Sequence, residues 1–170
     1  PFYYVQLSSI DRPSWPWFRD SQRRLMDAIP HTGMAVSSDY GDSLDVHPKN
    51  KRPIGERLAH WALNRTYDKK QVVPSGPLFR SVDFREDAAY VSFDYADGLH
   101  TADGRPIREF EIAETEGVYY PAKAEVVGNQ VKVYSDRVKH PCHVRYAWRP
   151  FTRANLVNSQ SLPASTFRSR

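Results

Sequence analysis

Cysteine is nearly absent. Cys142 is the single one in 170 residues, so no internal disulfide can staple the fold, and neither an oxidising nor a reducing compartment is excluded. Long apolar runs are missing as well. No stretch approaches the roughly 20 residues that a membrane-spanning helix needs, so a membrane is not expected as a partner. Nor is there a block of like charge. The net charge of +4 comes from 24 Lys and Arg set against 20 Asp and Glu, interleaved along the chain. A nucleic-acid binder gathers its basic residues on one face or in one run. The nearest thing here, Lys49-Asn50-Lys51-Arg52, is short and adjoins a helix start, so no nucleic-acid partner is expected. The N-terminal stretch Pro1-Phe2-Tyr3-Tyr4-Val5-Gln6-Leu7 has no initiator Met, basic region or small-residue cleavage site. It does not read as a signal peptide. It reads as a strand entered in mid-fold, which implies residues preceding Pro1 in a parent protein.

What is present suffices for a packed core. Hydrophobic residues make up 40% of the chain and aromatics 13%, which argues against disorder. Thirteen prolines and a mean hydropathy of -0.65 point to many turns around that core.

Residues 1–73 read as α/β. A buried strand is expected over Phe2 to Leu7, then a helix from a Ser14 cap to about Ile29, in which Phe18, Leu25 and Ile29 recur at amphipathic spacing beside Arg19 and Gln22. Pro30-His31-Thr32-Gly33 breaks it, and Gly33 to Ser38 is a short apolar strand. A polar loop, Asp39 to Asn50, leads to a second helix over about Lys51 to Thr66. Asn50 serves as its cap, Pro53 lies in its first turn, and Ile54, Leu58, Trp61 and Ala62 form its stripe. Strand and helix alternating at these lengths imply parallel βα units. Residues 74–170 read differently. Strand-like runs dominate (Leu78–Phe84, Ala88–Tyr95, Arg108–Ala113, Tyr119–Val127, Gln130–Ser135, His143–Trp148), with turns between them and a hairpin signature at Gly128-Asn129. An antiparallel β module is expected, with Asn155 to Arg170 wrapped over it as an extended tail.

The stretch that carries chemistry is Asp39-Tyr40-Gly41-Asp42-Ser43-Leu44-Asp45-Val46-His47-Pro48-Lys49-Asn50-Lys51, in the loop after a parallel-type strand and immediately before a helix. In open α/β sheets this carboxyl end is where ligands bind. A histidine held there beside a carboxylate can act as general base for a hydroxyl nucleophile. Pro48 keeps His47 out of helical geometry. Either Asp45 orients His47 through its side chain, or its backbone carbonyl does so while Asp42 supplies charge. Elsewhere, His140, Cys142 and His143 lack zinc spacing, and the scattered aspartates lack calcium-loop spacing. No metal or cofactor is expected. Ser8 and Ser9 read as ordinary strand-end residues.

Several motifs, in order, carry a family resemblance. Asp45-Val46-His47-Pro48-Lys49-Asn50-Lys51 followed by Gly55-Glu56-Arg57-Leu58-Ala59 resembles the C-terminal catalytic block of the sialate O-acetylesterase-like SGNH (GDSL-type) carbohydrate esterases. Phe2 to Leu7 resembles that family's strand, and Trp17-Phe18-Arg19-Asp20-Ser21-Gln22 its arginine-glutamine helix start. Gly76-Pro77, Val144 to Trp148 and Asn155 to Ser165 resemble its later segments. The resemblance implies an α/β fold: the C-terminal part of a three-layer αβα SGNH domain followed by the antiparallel module. It implies a serine esterase acting on O-acetylated sugars, of an extracellular or periplasmic kind, with His47 and Asp45 catalytic. Arg19 and Gln22 would line the substrate rim, or else serve as helix-capping or buried polar groups. The family's serine lies in an upstream Gly-Gln-Ser-Asn-like block. Neither Gly-Gln-Ser nor Gly-x-Ser-x-Gly occurs here, so an upstream nucleophile-bearing part of the same protein is the expected partner, and this chain alone is expected to be inactive.

Overall fold

The computed structural model describes residues 1–169; Arg170, the last residue of the expected tail, lies outside them. The chain opens with β1 (Phe2–Val5), α1 (Trp15–Ala28) and β2 (Thr32–Ala35). The two strands pair in parallel, Tyr3 opposite Gly33 and Val5 opposite Ala35, and α1 supplies the crossover that parallel pairing requires. β1 stops two residues short of the expected Leu7, whose N–H turns aside to Gln22 Oε1 at 2.8 Å. A 3-10 turn (Ser38–Tyr40) and a long loop then lead to α2 (Arg52–Arg65).

α2 follows its pattern. Ile54 and Trp61 are buried against the strand pair, although Lys51, not Asn50, takes the cap position and makes no side-chain capping bond. Trp61 lies flat over Gly33 and donates its indole N–H to Met34 O at 2.9 Å. A Cβ built at position 33 would fall 2.5 Å from Trp61 Cδ2. Gly33→Ala is therefore expected to overpack this contact and cost about 1–3 kcal/mol, read as a lowered urea midpoint at constant m-value.

α1 does not follow its pattern. Its buried face carries Pro16, Arg19, Asp20 and Arg23, while Phe18, Leu25 and Ile29 are 53%, 43% and 49% exposed. The inward side is held by charge: Asp20 accepts from Arg23 at 3.0 Å and from Arg24 at 2.7 Å. The apolar stripe faces out.

The rest is antiparallel. In chain order come β3 (Leu78–Arg85), β4 (Ala88–Asp94), β5 (His100–Thr101), β6 (Phe110–Ala113), β7 (Tyr120–Pro121), β8 (Lys123–Val127), β9 (Gln130–Tyr134), β10 (His143–Tyr146), β11 (Leu156–Val157) and β12 (Phe167–Arg168). They form two four-stranded sheets, β3-β4-β9-β8 and β12-β10-β6-β7, with β11 and β5 as a separate pair. Ala89, Val91, Phe93, Val131 and Val133 from the first sheet share one buried cluster with Phe110, Ile112, Val144 and Tyr146 from the second. The period of two set this up along each strand. The β8–β9 hairpin turns at Gly128-Asn129, with Val127 opposite Gln130 and Gly128 at φ 60.

The tail enters this core rather than wrapping over it. Phe167 is fully buried and stacks on Phe79 with ring centroids 4.4 Å apart. Leu156 N–H donates to the buried Tyr146 hydroxyl at 2.9 Å. Among the described residues, no helix is long and apolar enough to cross a membrane.

Candidate functional site

The loop between β2 and α2 leaves the carboxyl end of the parallel pair and is fixed from both sides. From α2, the buried Arg57 grips both oxygens of Asp39 at 2.7 and 2.6 Å and donates to Val36 O at 2.7 Å, so the 3-10 turn cannot drift. From the segment after β1, Ser9 Oγ donates to Ser38 O at 2.9 Å, Asp11 N–H donates to Ser43 O at 3.1 Å, and Ser8 Oγ donates to Val46 O. Gly41 lies directly against the Ser9 backbone, with no room for a Cβ.

On that support, Asp45 Oδ1 accepts two hydrogen bonds from one residue. The His47 backbone N–H donates at 2.9 Å, and His47 Nδ1 lies 3.0 Å from the same oxygen. A proton held on Nδ1 by this contact leaves the Nε2 lone pair free to take a proton from elsewhere. The backbone N–H first, then the ring, holds the Asp45 carboxyl below its ordinary pKa, so it stays a carboxylate at neutral pH. Asp42 is otherwise engaged, its Oδ1 accepting the Leu44 N–H at 2.9 Å. Of the two acids left open by the sequence, Asp45 is the one that meets His47. The His47 side chain is 80% exposed, presented at the edge of a cleft of about 410 Å³ whose walls include Val5, Leu7, Val46, Pro48 and Ile54.

Arg19 and Gln22 are not among the residues lining that cleft. Arg19 has no exposed surface. Its Nε donates to Thr166 Oγ1 at 2.9 Å, Nη1 to Pro150 O at 3.0 Å, and Nη2 to Ala147 O at 3.1 Å and to Arg149 O. It fastens α1 to the turn after β10 and to Thr166, and so it is not placed on a substrate rim. The half-buried Gln22 spends its Oε1 on Leu7 N–H.

Two features escaped the sequence reading. Ser8, taken as an ordinary strand end, is buried and holds the residue before His47 by its carbonyl. The only hint was a polar pair, Ser8-Ser9, at the carboxyl end of an apolar strand. The second is the string Gly41-Asp42-Ser43-Leu44, which spells the tetrapeptide that gives GDSL-type enzymes their label. Ser43 is exposed and sits in the turn capped by Asp42. A serine nucleophile elbow requires a sharp strand-to-helix turn, and this segment is not one.

No protein-family model matches the chain, and no curated protein matches it. Among solved structures the chain is similar to a carbohydrate acetylesterase from Xanthomonas citri, with 36% sequence identity and a TM-score of 0.93. The match covers 100% of this chain and 41% of that one.

Proposed function

We propose that this chain is the base-bearing portion of a carbohydrate O-acetylesterase of the sialate O-acetylesterase-like, SGNH kind, its parallel unit forming part of a three-layer αβα domain. The observation that carries the reading is the Asp45–His47 pair, with Nε2 making no hydrogen bond among the described residues, at the carboxyl end of the parallel strands. The likeness to the Xanthomonas citri acetylesterase supports it. The nucleophilic serine and the oxyanion donors come from a segment outside these 170 residues. The exposed apolar stripe of α1 and the exposed Phe2 and Val5 of β1 offer that segment a surface to pack on. By the resemblance, the enzyme acts outside the cytoplasm.

In the first half-reaction His47 Nε2 takes the serine hydroxyl proton as the serine oxygen bonds to the acetyl carbonyl carbon. The carbonyl electron pair moves to oxygen, where the donors of the other segment hold it. When the pair returns, the C–O bond to the sugar breaks and the imidazolium protonates the departing sugar oxygen. The acetyl group is then on serine. In the second half His47 deprotonates a water that attacks this ester, and acetate leaves as the serine regains its proton. Throughout, the Asp45 carboxylate stabilises the imidazolium and keeps Nδ1 protonated.

The test is p-nitrophenyl acetate hydrolysis by this chain alone and by the parent that carries the nucleophile. The chain alone is expected to be inactive and the parent active; activity of the isolated chain that survives His47→Ala would overturn the reading. Within the parent, Ser8→Ala is expected to lower kcat several-fold with little change in KM, because a freed Val46 carbonyl loosens His47 while the substrate contacts remain. Ser43→Ala is expected to leave kcat unchanged. A second reading, a non-catalytic carbohydrate-binding module, is favoured by the openness of His47 to solvent. It predicts glycan binding by a parent without esterase activity.

A further inference from the structure

A larger cleft, about 650 Å³, opens at the opposite end of the parallel pair, where the start of β1 and β2 meets the C-terminal turn of α2 and the ends of β3 and β4. Junctions of this kind between structural units are common ligand sites, and the volume is in the range of such sites. Its walls combine three kinds of group. Tyr3 and Tyr95 supply aromatic surface, with the buried Trp61 behind Tyr95. Asp27 and Asp94 supply acceptors, and among the described residues each has only a loose ion pair, to Arg23 at 3.8 Å and to Arg80 at 3.9 Å. Arg65 supplies the cation. Its Nη2 donates to the Tyr95 hydroxyl at 2.8 Å, and it forms no ion pair among the described residues, whereas neighbouring Lys70 is paired with Asp68 at 2.7 Å.

The aromatic wall is held in a costly conformation. Tyr95 has φ 59, a left-handed backbone that a bulky residue rarely adopts. Its ring meets Trp61 edge-on with centroids 6.0 Å apart, and its carbonyl accepts from Asn158 Nδ2 at 3.1 Å. His31, at φ 58, is on the same wall. Backbone strain gathered on one concave surface accompanies binding sites more than passive seams.

We propose that this cleft binds the carboxylate-bearing residue of an acidic glycan. The carboxylate pairs with the guanidinium of Arg65, the sugar ring lies against Tyr95 and Tyr3, and ring hydroxyls donate to Asp27 and Asp94. A phosphate group fits less well, because the same two aspartates repel a doubly charged anion. A uronate brings one delocalised charge to one guanidinium that has no ion pair among the described residues, and it matches the planar fork. The proposal rests on the cleft alone, not on the ester chemistry at His47.

The test is a titration of the full chain with digalacturonate and with its dimethyl ester, which keeps the shape and removes the charge, followed by calorimetry and amide and indole NMR shifts. Saturable digalacturonate binding is expected, with shifts centred on Arg65, Tyr95 and the Trp61 indole, and binding about tenfold weaker for the ester. Arg65→Gln is expected to weaken digalacturonate to the level of the ester, and His47→Ala to leave its binding unchanged. Absence of saturable binding, equal binding of acid and ester, or shifts centred on the His47 loop would each overturn the proposal. The acid-to-ester comparison uses the unaltered chain, so it stands even if Arg65→Gln fails to fold. None of these outcomes depends on turnover, so a failure here leaves the esterase reading where it was.

Discussion

His47→Ala, introduced into the enzyme that carries the nucleophile, is expected to lower kcat for acetyl-ester hydrolysis by about 10³-fold while KM changes little. The imidazole contributes only when a proton moves, so its loss appears in the transition state rather than in ground-state binding. Stability should hardly change. The side chain is 80% exposed, and its one ring hydrogen bond among the described residues, at 3.0 Å, is to a half-exposed carboxylate. Thermal denaturation of the variant checks this point and separates a chemical loss from misfolding. Asp45→Asn should follow at about 10²-fold or more, because an amide cannot stabilise the imidazolium and can hold the wrong tautomer. The pH dependence of that variant has a definite sign. Hydrogen bonds from His47 hold the Asp45 carboxyl below its ordinary pKa, so the carboxylate is present above that lowered value and is lost only as pH falls through it. The Asp45 carboxylate should therefore contribute throughout the neutral range and be lost only below the ordinary carboxylate pKa, under about 4.

Arg19→Met is expected to give the largest loss of stability, about 3–5 kcal/mol, measured by urea denaturation. Methionine keeps much of the volume but removes the donor from two buried acceptors, Thr166 Oγ1 and the Ala147 carbonyl, and from the less buried carbonyls of Arg149 and Pro150. A domain of this size has only about 5–15 kcal/mol in total, so the variant should be close to unfolding at 37 °C. Arg19→Lys should recover only part of the loss, because one ammonium cannot reproduce the fork that reaches both the tail and the turn after β10. Burial lowers the Arg19 pKa to about 10, against an opposing pull from Glu109. The unfolded chain thus binds this proton more tightly than the folded one, and the stability contribution rises with pH only above about 10. Near neutral pH both states are protonated, and the effect of Arg19→Met should not vary with pH.

Arg19 also shows where sequence reading reached its limit. The α2 stripe and the Gly128-Asn129 hairpin were legible because their signals are local: Ile54 and Trp61 sit at helical spacing, and Gly128 tolerates the positive φ that its turn requires. The α1 pattern misled for a physical reason. A helix normally buries its apolar stripe, but here Asp20 pairs with Arg23 and Arg24 on the inside, and the facing surface includes a run of carbonyls and a hydroxyl that selects Arg19. Those acceptors lie 128 to 147 residues away in the chain, and no local pattern reports them. The tail misled for a similar reason: polar spacing hid a single Phe167 that completes the aromatic core. At the site, Asp45 and His47 were legible because they are two residues apart, whereas Ser8 reaches Val46 across 38 residues.

The central claim divides one active site between two stretches of protein: the base on this chain, the serine outside it. Labelling the parent enzyme with a fluorophosphonate, which phosphonylates activated serines, and mapping the modified peptide by mass spectrometry tests that division most directly. The account predicts a single labelled serine outside these 170 residues, with labelling slowed strongly by His47→Ala. A label on Ser8, Ser9 or Ser43, or a labelling rate indifferent to His47→Ala, would contradict it.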